Sequence, residues 1–200
     1  MTLDRFRPMA ERALEPLVRT AIRIGLTPDS VSAIAFLLAI GASASFLVGT
    51  PTWYLAGALL VFLNGVLDLI DGAIARDLEV DSPAGDLLDH VLDRYSDVVI
   101  VAGLAGGVGR YALGFAAVTG VLLTSYLGTQ IQAVGLEREY GGLLGRADRL
   151  TLVGVTGVVA WITPTIAGVS VVGALLVVFA VVGHFTAIQR FYAAWSDFDS

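Results

Sequence analysis

The sequence contains no cysteine and no lysine, and only 15% of its residues are charged. The absence of cysteine excludes disulfides, thiolate catalysis and sulfur-ligated zinc or iron. Because lysine is absent, all twelve basic residues are arginines, and the eighteen acidic residues give a formal net charge of −6. This acidic balance argues against a nucleic-acid partner, since domains that bind nucleic acid carry basic patches.

Hydrophobic residues make up 56% of the chain, and its mean hydropathy of +0.79 is typical of a membrane protein. A helix needs about 20 mostly apolar residues to cross a bilayer. Six stretches of this kind are separated by short polar, glycine or proline breaks. We therefore expect an all-α integral membrane protein with six transmembrane helices, at roughly 30–48, 53–75, 86–108, 111–134, 150–162 and beyond, and 169–191.

The first 26 residues differ from the rest because arginines alternate with apolar residues along them. This pattern predicts an amphipathic helix over 4–25 that lies on the membrane surface among lipid headgroups. Arginines recur as far as Arg23 before the first apolar run, unlike the order of a cleaved signal peptide. We expect residues 1–26 to persist as a juxtamembrane helix ahead of a six-helix transmembrane domain, 27–200.

Arginines near the ends of the predicted spans alternate between the two sides of the membrane. The N-terminal segment, the loop at Arg76, the loop over 137–149 and the tail near Arg190 carry arginine, whereas the opposite turns hold only Arg110. By the positive-inside rule, both termini and the two charged loops face the cytoplasmic side of the cell membrane.

Four aspartates fall within the second and third predicted spans. Asp68 and Asp71 share one face of the second span, and Asp89 and Asp93 share one face of the third at i, i+4. At 1.5 Å per residue, Asp68 and Asp93 each lie about 12 Å inside a helix end, so we expect the pairs at matching depth. Asp97 follows one turn after Asp93, and we expect it behind these carboxylates.

Carboxylates buried in a membrane are costly unless cations neutralise them, so such clusters usually serve a function. Oxygen ligands without cysteine or histidine in register favour hard cations such as Mg²⁺ or Mn²⁺ over zinc. Two ions are a natural number for four carboxylates. His90 and His184 are turned away or isolated, and we do not expect them to be ligands.

The acidic residues belong to a longer pattern, DxxDGxxAR, then eight residues, then GxxxDxxxD. The chain thereby resembles the CDP-alcohol phosphotransferase family, whose signature has this form, and every signature position is filled. The predicted six-span layout with an N-terminal amphipathic helix resembles the family as well. The pattern consists of Asp68, Asp71, Gly72, Ala75, Arg76, Gly85, Asp89 and Asp93.

The resemblance implies transfer of a phosphatidyl or archaetidyl group from a CDP-linked lipid to the hydroxyl of a polar alcohol, with release of CMP. It implies a homodimer in which Asp68, Asp71 and Asp89 hold one ion, while Asp93 joins a second ion and acts as general base. The residues that it assigns to the CDP group are Asp68, Gly72, Ala75, Arg76 and Gly85.

Chemistry independently favours the CDP roles of several signature residues. Gly72 and Ala75 leave space for a bulky nucleotide diphosphate, which larger side chains would fill. Arg76, at the loop edge, can bind phosphate oxygens with its forked guanidinium.

A group of arginines, Arg138, Arg146 and Arg149, follows the fourth predicted span. Arginine clusters suit phosphate, so these residues are candidates for binding a phosphorylated acceptor. The stretch GRADR, 145–149, resembles the family branch that uses inositol phosphate, the archaetidylinositol and phosphatidylinositol phosphate synthases. Glycerol 3-phosphate and serine stay open as acceptors, and the arginines have orientation by charge as their alternative role.

Two other classes explain part of the pattern. A divalent-cation transporter also carries aspartates within the membrane, but it has no need of the signature glycines and Arg76. An inactive relative would be expected to have lost a catalytic position, and none is substituted. Gly103 and Gly107 are spaced as GxxxG, which predicts close packing against another helix.

Overall fold

The computed structural model describes residues 7–80, 82–136 and 144–198. In these ranges the chain consists of helices, short connecting turns and one hairpin with two residues in each strand. The elements are α1 (Arg7–Arg23), α2 (Pro28–Val48), α3 (Pro51–Leu78), α4 (Pro83–Gly107), α5 (Tyr111–Ala133), α6 (Arg146–Ile162), β1 (Thr165–Ile166), β2 (Val169–Ser170) and α7 (Val171–Phe198).

Local sequence explains where several helices begin. Helices α2, α3 and α4 each start with proline, which fits the first helical turn, and in α2 and α4 the preceding hydroxyl also caps a free backbone N–H group. The Thr27 hydroxyl accepts from the Ser30 N–H, and the Ser82 hydroxyl accepts from the Gly85 N–H at 3.0 Å. Gly49 ends α2 in the left-handed conformation.

The expectation of six transmembrane helices is met in part. Six helices follow α1 in the described ranges, and four of them, α2, α3, α5 and α7, are long and apolar enough to cross a membrane. Helix α4 carries too many charged residues to qualify, and α6 has only 17 residues. That α4 and α6 also cross the membrane stays a prediction.

The helix bounds differ from the predicted ones mainly at α6 and α7. Helix α6 begins at Arg146 and not near Leu150, because Gly145 caps it and the Asp148 carboxylate accepts from the Gly145 N–H at 3.0 Å. Helix α7 continues to Phe198, beyond the predicted end near 191. The first helix is observed over Arg7–Arg23, inside the predicted 4–25.

Helix α2 is central to the bundle because it packs against both α3 and α4, while α5 packs on α7 and α3 on α6. Phe46 and Phe179 are the largest fully buried side chains in the main core. Helix α1 buries Val18 and Ala21 in a second cluster with apolar residues of α3. The division at residue 26 stays a prediction.

The GxxxG pair in α4 packs against α2 of the same chain. A Cβ atom at Gly103 would overlap the carbonyl oxygen of Ser43, and one at Gly107 would overlap the carbonyl oxygen of Phe46. Glycine is therefore required at both positions for α4 to approach α2 this closely.

We expect Gly103→Ala to destabilise the protein by about 1–3 kcal/mol, because the added methyl group forces α4 away from α2. The matched control is Gly154→Ala on α6, where a Cβ atom meets nothing within 4 Å. This control should be at least as stable as the wild type, since alanine favours helix. Thermal unfolding in detergent measures both, and equal stability of the two variants would contradict the prediction.

Candidate active site

Three of the four predicted carboxylates meet between α3 and α4. Asp68 on α3 and Asp89 and Asp93 on α4 each offer an oxygen, and these oxygens lie within 4.8 Å of one another. All three side chains are partly buried. Because α2 packs against both α3 and α4, it holds the two acidic helices on either side of one site. We call these three residues the carboxylate cluster.

Asp71 lies beside this cluster and is turned towards α2. Its side chain is buried, and its carboxylate accepts from the Ser32 hydroxyl at 2.8 Å and from the Gly72 N–H at 2.6 Å. Among the described residues, the group of carboxylates whose oxygens approach one another closely does not include Asp71. Its role as a metal ligand therefore stays a prediction.

Arg146 supplies a positive charge to the carboxylate cluster. One terminal nitrogen of its guanidinium donates to the Asp68 carboxylate, and the other contacts an Asp93 carboxylate oxygen at 2.6 Å. The position is thus suited to a cation, and its donors are oxygens, which hard divalent ions prefer. These residues fit a metal ion such as Mg²⁺ or Mn²⁺, and the cluster could bind one.

A cavity of about 710 Å³ opens on the side of the cluster nearest the start of α2. Three signature residues with little or no side chain, Gly72, Ala75 and Gly85, line it together with Asp71 and Asp89. Arg76 is exposed at the end of α3 and does not line it. We call this space the signature cavity.

A second cavity, of about 400 Å³, lies on the other side and is bordered by four arginines, Arg94, Arg146, Arg149 and Arg190. We call it the arginine cavity. Arg146 and Arg149 were predicted to bind the acceptor, and the structure places both here. The third predicted residue, Arg138, lies outside the described residues.

Buried partners hold two of these arginines in place. The guanidinium of Arg149 donates to Asp97 at 2.8 Å, to the Leu144 carbonyl oxygen at 3.2 Å and to the Ser125 hydroxyl at 3.3 Å. Arg190 donates to the carbonyl oxygen of Thr124 at 2.6 Å. Asp97 is therefore the carboxylate behind the arginine cavity, and it does not belong to the carboxylate cluster.

Sequence reasoning did not identify Arg94 and Arg190 as site residues. Arg94 follows Asp93 directly on α4, and Arg190 was interpreted only as a marker of membrane orientation. Both lie within long helices, and Arg190 is only 5% exposed. A charged residue inside an apolar helix is itself a sign of function, and this criterion would have identified Arg94 and Arg190.

An apolar groove of about 670 Å³ runs between α3 and α6 and ends at the carboxylate cluster. Leu59, Phe62, Val155 and Val158 are among its lining residues, and Asp68 lies at one end. The groove faces outward from the bundle, since these side chains are at least 39% exposed. Apolar ligand chains could therefore enter it from a surrounding bilayer.

Comparison with known proteins finds a family and its members. The family model of the CDP-alcohol phosphatidyltransferases matches residues 25–186. The chain is 32% identical over 198 residues to the archaetidylinositol phosphate synthase of Methanothermobacter thermautotrophicus. The alignment covers 96% of this chain and 94% of that protein. It is 33% identical over 193 residues to the phosphatidylinositol phosphate synthase of Mycobacterium marinum, with 92% and 80% covered.

Two solved structures of the Mycobacterium tuberculosis phosphatidylinositol phosphate synthase are similar in fold. The crystal structure with CDP-DAG bound has a TM-score of 0.79 at 26% identity and covers 92% of this chain and 94% of that one. The structure in complex with manganese and citrate has a TM-score of 0.78 at 26% identity, with 90% and 88% covered.

The buried pair of Asp97 and Arg149 generates a stability prediction. We expect Asp97→Ala to lower the free energy of unfolding by about 3–5 kcal/mol, because it leaves Arg149 buried without its carboxylate. The double variant Asp97→Leu/Arg149→Met should recover part of this loss, since it removes both charges. Denaturant unfolding in detergent measures both, with Asp77→Ala at an exposed position as the control.

A double variant less stable than Asp97→Ala would contradict the account of Asp97 as the counter-charge of Arg149.

Proposed function

The chain belongs to the CDP-alcohol phosphatidyltransferase family, and from this premise we propose that it transfers a lipid phosphate group from a CDP-linked lipid to inositol 1-phosphate, with release of CMP. Members of this family are transferases of phospholipid synthesis. The observation that supports the proposal most directly is the position of the carboxylate cluster between the signature cavity and the arginine cavity. A donor nucleotide and an anionic acceptor could meet there.

The signature cavity suits the CDP group of the donor. Gly72 and Ala75 leave space beside the acidic residues, and a Cβ atom at Gly85 would lie only 3.2 Å from the Ser82 hydroxyl. Arg76, at the adjacent helix end, is assigned to the diphosphate because a forked guanidinium pairs well with phosphate oxygens. The similar mycobacterial structure holds CDP-DAG, which supports the same donor class here.

The apolar groove between α3 and α6 suits the hydrocarbon chains of the donor. It is lined almost entirely by apolar side chains, and it reaches Asp68. A lipid lying in it would bring its phosphate to the carboxylate cluster. The groove accommodates both archaeol and diacylglycerol chains in principle, because apolar contacts do not distinguish ether from ester linkages.

We assign two Mg²⁺ or Mn²⁺ ions to Asp68, Asp71, Asp89 and Asp93. When bound, such ions would neutralise charge on the diphosphate and on the attacking and leaving oxygens. Asp93 contacts Arg146 and Arg94, which border the arginine cavity, so it lies between donor and acceptor. We assign it as the general base: the acceptor oxygen bonds to the lipid-side phosphorus, the bond to CMP breaks, and Asp93 takes the hydroxyl proton.

The charge of the arginine cavity favours a phosphorylated acceptor. Four arginines border it, and the described carboxylates that contact them at the cavity, Asp93 and Asp97, are fewer, so an anionic phosphate suits the cavity better than serine does. Inositol 1-phosphate and glycerol 3-phosphate both meet this condition. The names of the similar archaeal and mycobacterial proteins favour inositol 1-phosphate.

Orientation and oligomeric state are two further proposals. Both termini and the active site face the cytoplasm, because the arginine-bearing segments alternate with nearly uncharged turns, as the positive-inside rule describes. The chain acts as a homodimer, as its resemblance to the family implies. The transporter interpretation is set aside, because the chain belongs to an enzyme family.

The first experiment measures CMP release by the purified chain with Mg²⁺ or Mn²⁺ and a CDP-lipid. Inositol 1-phosphate, glycerol 3-phosphate, serine and inositol are offered in separate reactions. We expect release to depend on metal and to be stimulated by inositol 1-phosphate, while unphosphorylated inositol is inactive. If only glycerol 3-phosphate or only serine stimulated release, that compound would be the acceptor, and the proposal of inositol 1-phosphate would be wrong.

We expect Arg190→Gln to raise the KM for inositol 1-phosphate by about tenfold or more, because hydrogen bonds from charged donors are worth about 1.5–3 kcal/mol. The KM for the CDP-lipid should change little, since Arg190 borders only the arginine cavity. The control is Arg110→Gln, an exposed arginine at the start of α5. Equal changes in both KM values would indicate a general loss of structure.

A further inference from the structure

Arg146 contacts the carboxylate cluster and also borders the arginine cavity. It is the first residue of α6, and its guanidinium bridges Asp68 and Asp93 of the carboxylate cluster. The same side chain borders the arginine cavity together with Arg94 and Arg149. It thus stands at the boundary between the acidic and the basic halves of the site.

The bridge uses oxygens that a metal ion also needs. Asp68 and Asp93 are two of the three residues whose carboxylate oxygens approach within 4.8 Å. A divalent ion among these oxygens would compete with the guanidinium for their lone pairs, and the two cations would repel each other. Full occupation by Arg146 and full occupation by metal are therefore mutually unfavourable.

We propose that Arg146 is an exchangeable counter-ion of the carboxylate cluster: divalent metal displaces it from Asp68 and Asp93 towards the arginine cavity, where it completes the site for the acceptor phosphate. This inference rests on the proposed function for the identity of the acceptor. Its consequence is that metal and acceptor phosphate bind with positive coupling, and that each raises the affinity for the other by the same factor.

The balance of charge explains why the exchange goes in this direction. Two divalent ions neutralise the four carboxylates of Asp68, Asp71, Asp89 and Asp93, so Arg146 becomes a surplus charge among them. In the arginine cavity it adds to Arg94, Arg149 and Arg190, where, among the described residues, Asp97 pairs with Arg149 and Asp93 contacts Arg94. A dianionic phosphate then compensates the excess positive charge.

The side chain is suited to such an exchange. Its forked guanidinium spans two carboxylates, and rotation about its own side-chain torsions moves it without moving α6. Within the described residues its Nε atom is buried and has no hydrogen-bond partner, so the bridging position does not satisfy every donor. A second position that offers phosphate oxygens can satisfy it.

The test measures Mn²⁺ binding to the purified full chain in detergent without CDP-lipid, from the EPR signal of free Mn²⁺. We expect Arg146→Gln to bind Mn²⁺ about tenfold more tightly than the wild type, because the competing cation is gone. Arg110→Gln removes the same charge from an exposed site and should match the wild type.

A second series adds inorganic phosphate at constant ionic strength. We expect phosphate to raise the Mn²⁺ affinity of the wild type and of Arg110→Gln about tenfold, and to leave that of Arg146→Gln unchanged. A titration of Mn²⁺ with phosphate in the absence of protein corrects for complexes of Mn²⁺ with phosphate in solution. Unchanged or weaker Mn²⁺ binding by Arg146→Gln, or a phosphate effect that persists in it, overturns the proposal.

Arg146→Lys provides a variant if Arg146→Gln does not fold. Lysine keeps the charge but presents a single ammonium group, so it bridges two carboxylates less well. The Mn²⁺ affinity of Arg146→Lys should therefore lie between those of the wild type and Arg146→Gln. Affinity equal to that of the wild type contradicts the exchange. Failure of the proposed function would instead appear as a lack of CMP release with every acceptor, and it leaves these Mn²⁺ comparisons readable.

Discussion

Four carboxylates in the interior of an apolar helical bundle require compensating positive charge, because an isolated buried ion costs several kcal/mol. The structure supplies this charge largely from two arginines of one helix. Arg146 on α6 bridges Asp68 and Asp93, and Arg149 on the next turn pairs with Asp97. Helix α6 therefore docks where two acidic helices face each other, and it adds its two arginines to Arg94 of α4.

This pairing also explains how the site is divided. The acidic residues lie between α3 and α4, which α2 holds in place through close glycine contacts such as that of Gly103 with Ser43. Space is left on either side, at the signature glycines and among the arginines. One set of charges thus separates a region suited to a nucleotide diphosphate from a region suited to an acceptor phosphate.

The apolar runs and the aspartate spacing predicted much of this arrangement. The six helices after α1 follow the six predicted stretches, because long apolar segments with proline and glycine breaks leave few alternatives. The helical period alone placed Asp89 and Asp93 on one face. The start of α6 was missed by four residues, since Arg146 and Asp148 look like loop residues until the Asp148 cap of Gly145 is seen.

Contacts between residues far apart in the chain could not be predicted from the sequence, for a different reason. Arg146 and Asp68 are 78 positions apart, and Arg190 and Thr124 are 66 apart. Periodicity within one helix gives no information about which faces of two helices meet. The arginines were therefore interpreted as phosphate ligands or topology markers, although Arg146 also contacts the carboxylate cluster.

The absence of lysine has a physical meaning at this site. A lysine ammonium is a compact charge that pairs well with one carboxylate, whereas a guanidinium can contact two carboxylates or two phosphate oxygens at once. Arg146 uses this fork between Asp68 and Asp93, and Arg149 uses it between Asp97, a carbonyl oxygen and a hydroxyl. The same forked geometry that stabilises the acidic helices in the folded chain is the geometry that pairs with phosphate oxygens, so under the proposed function the residues that stabilise the fold would also bind the acceptor.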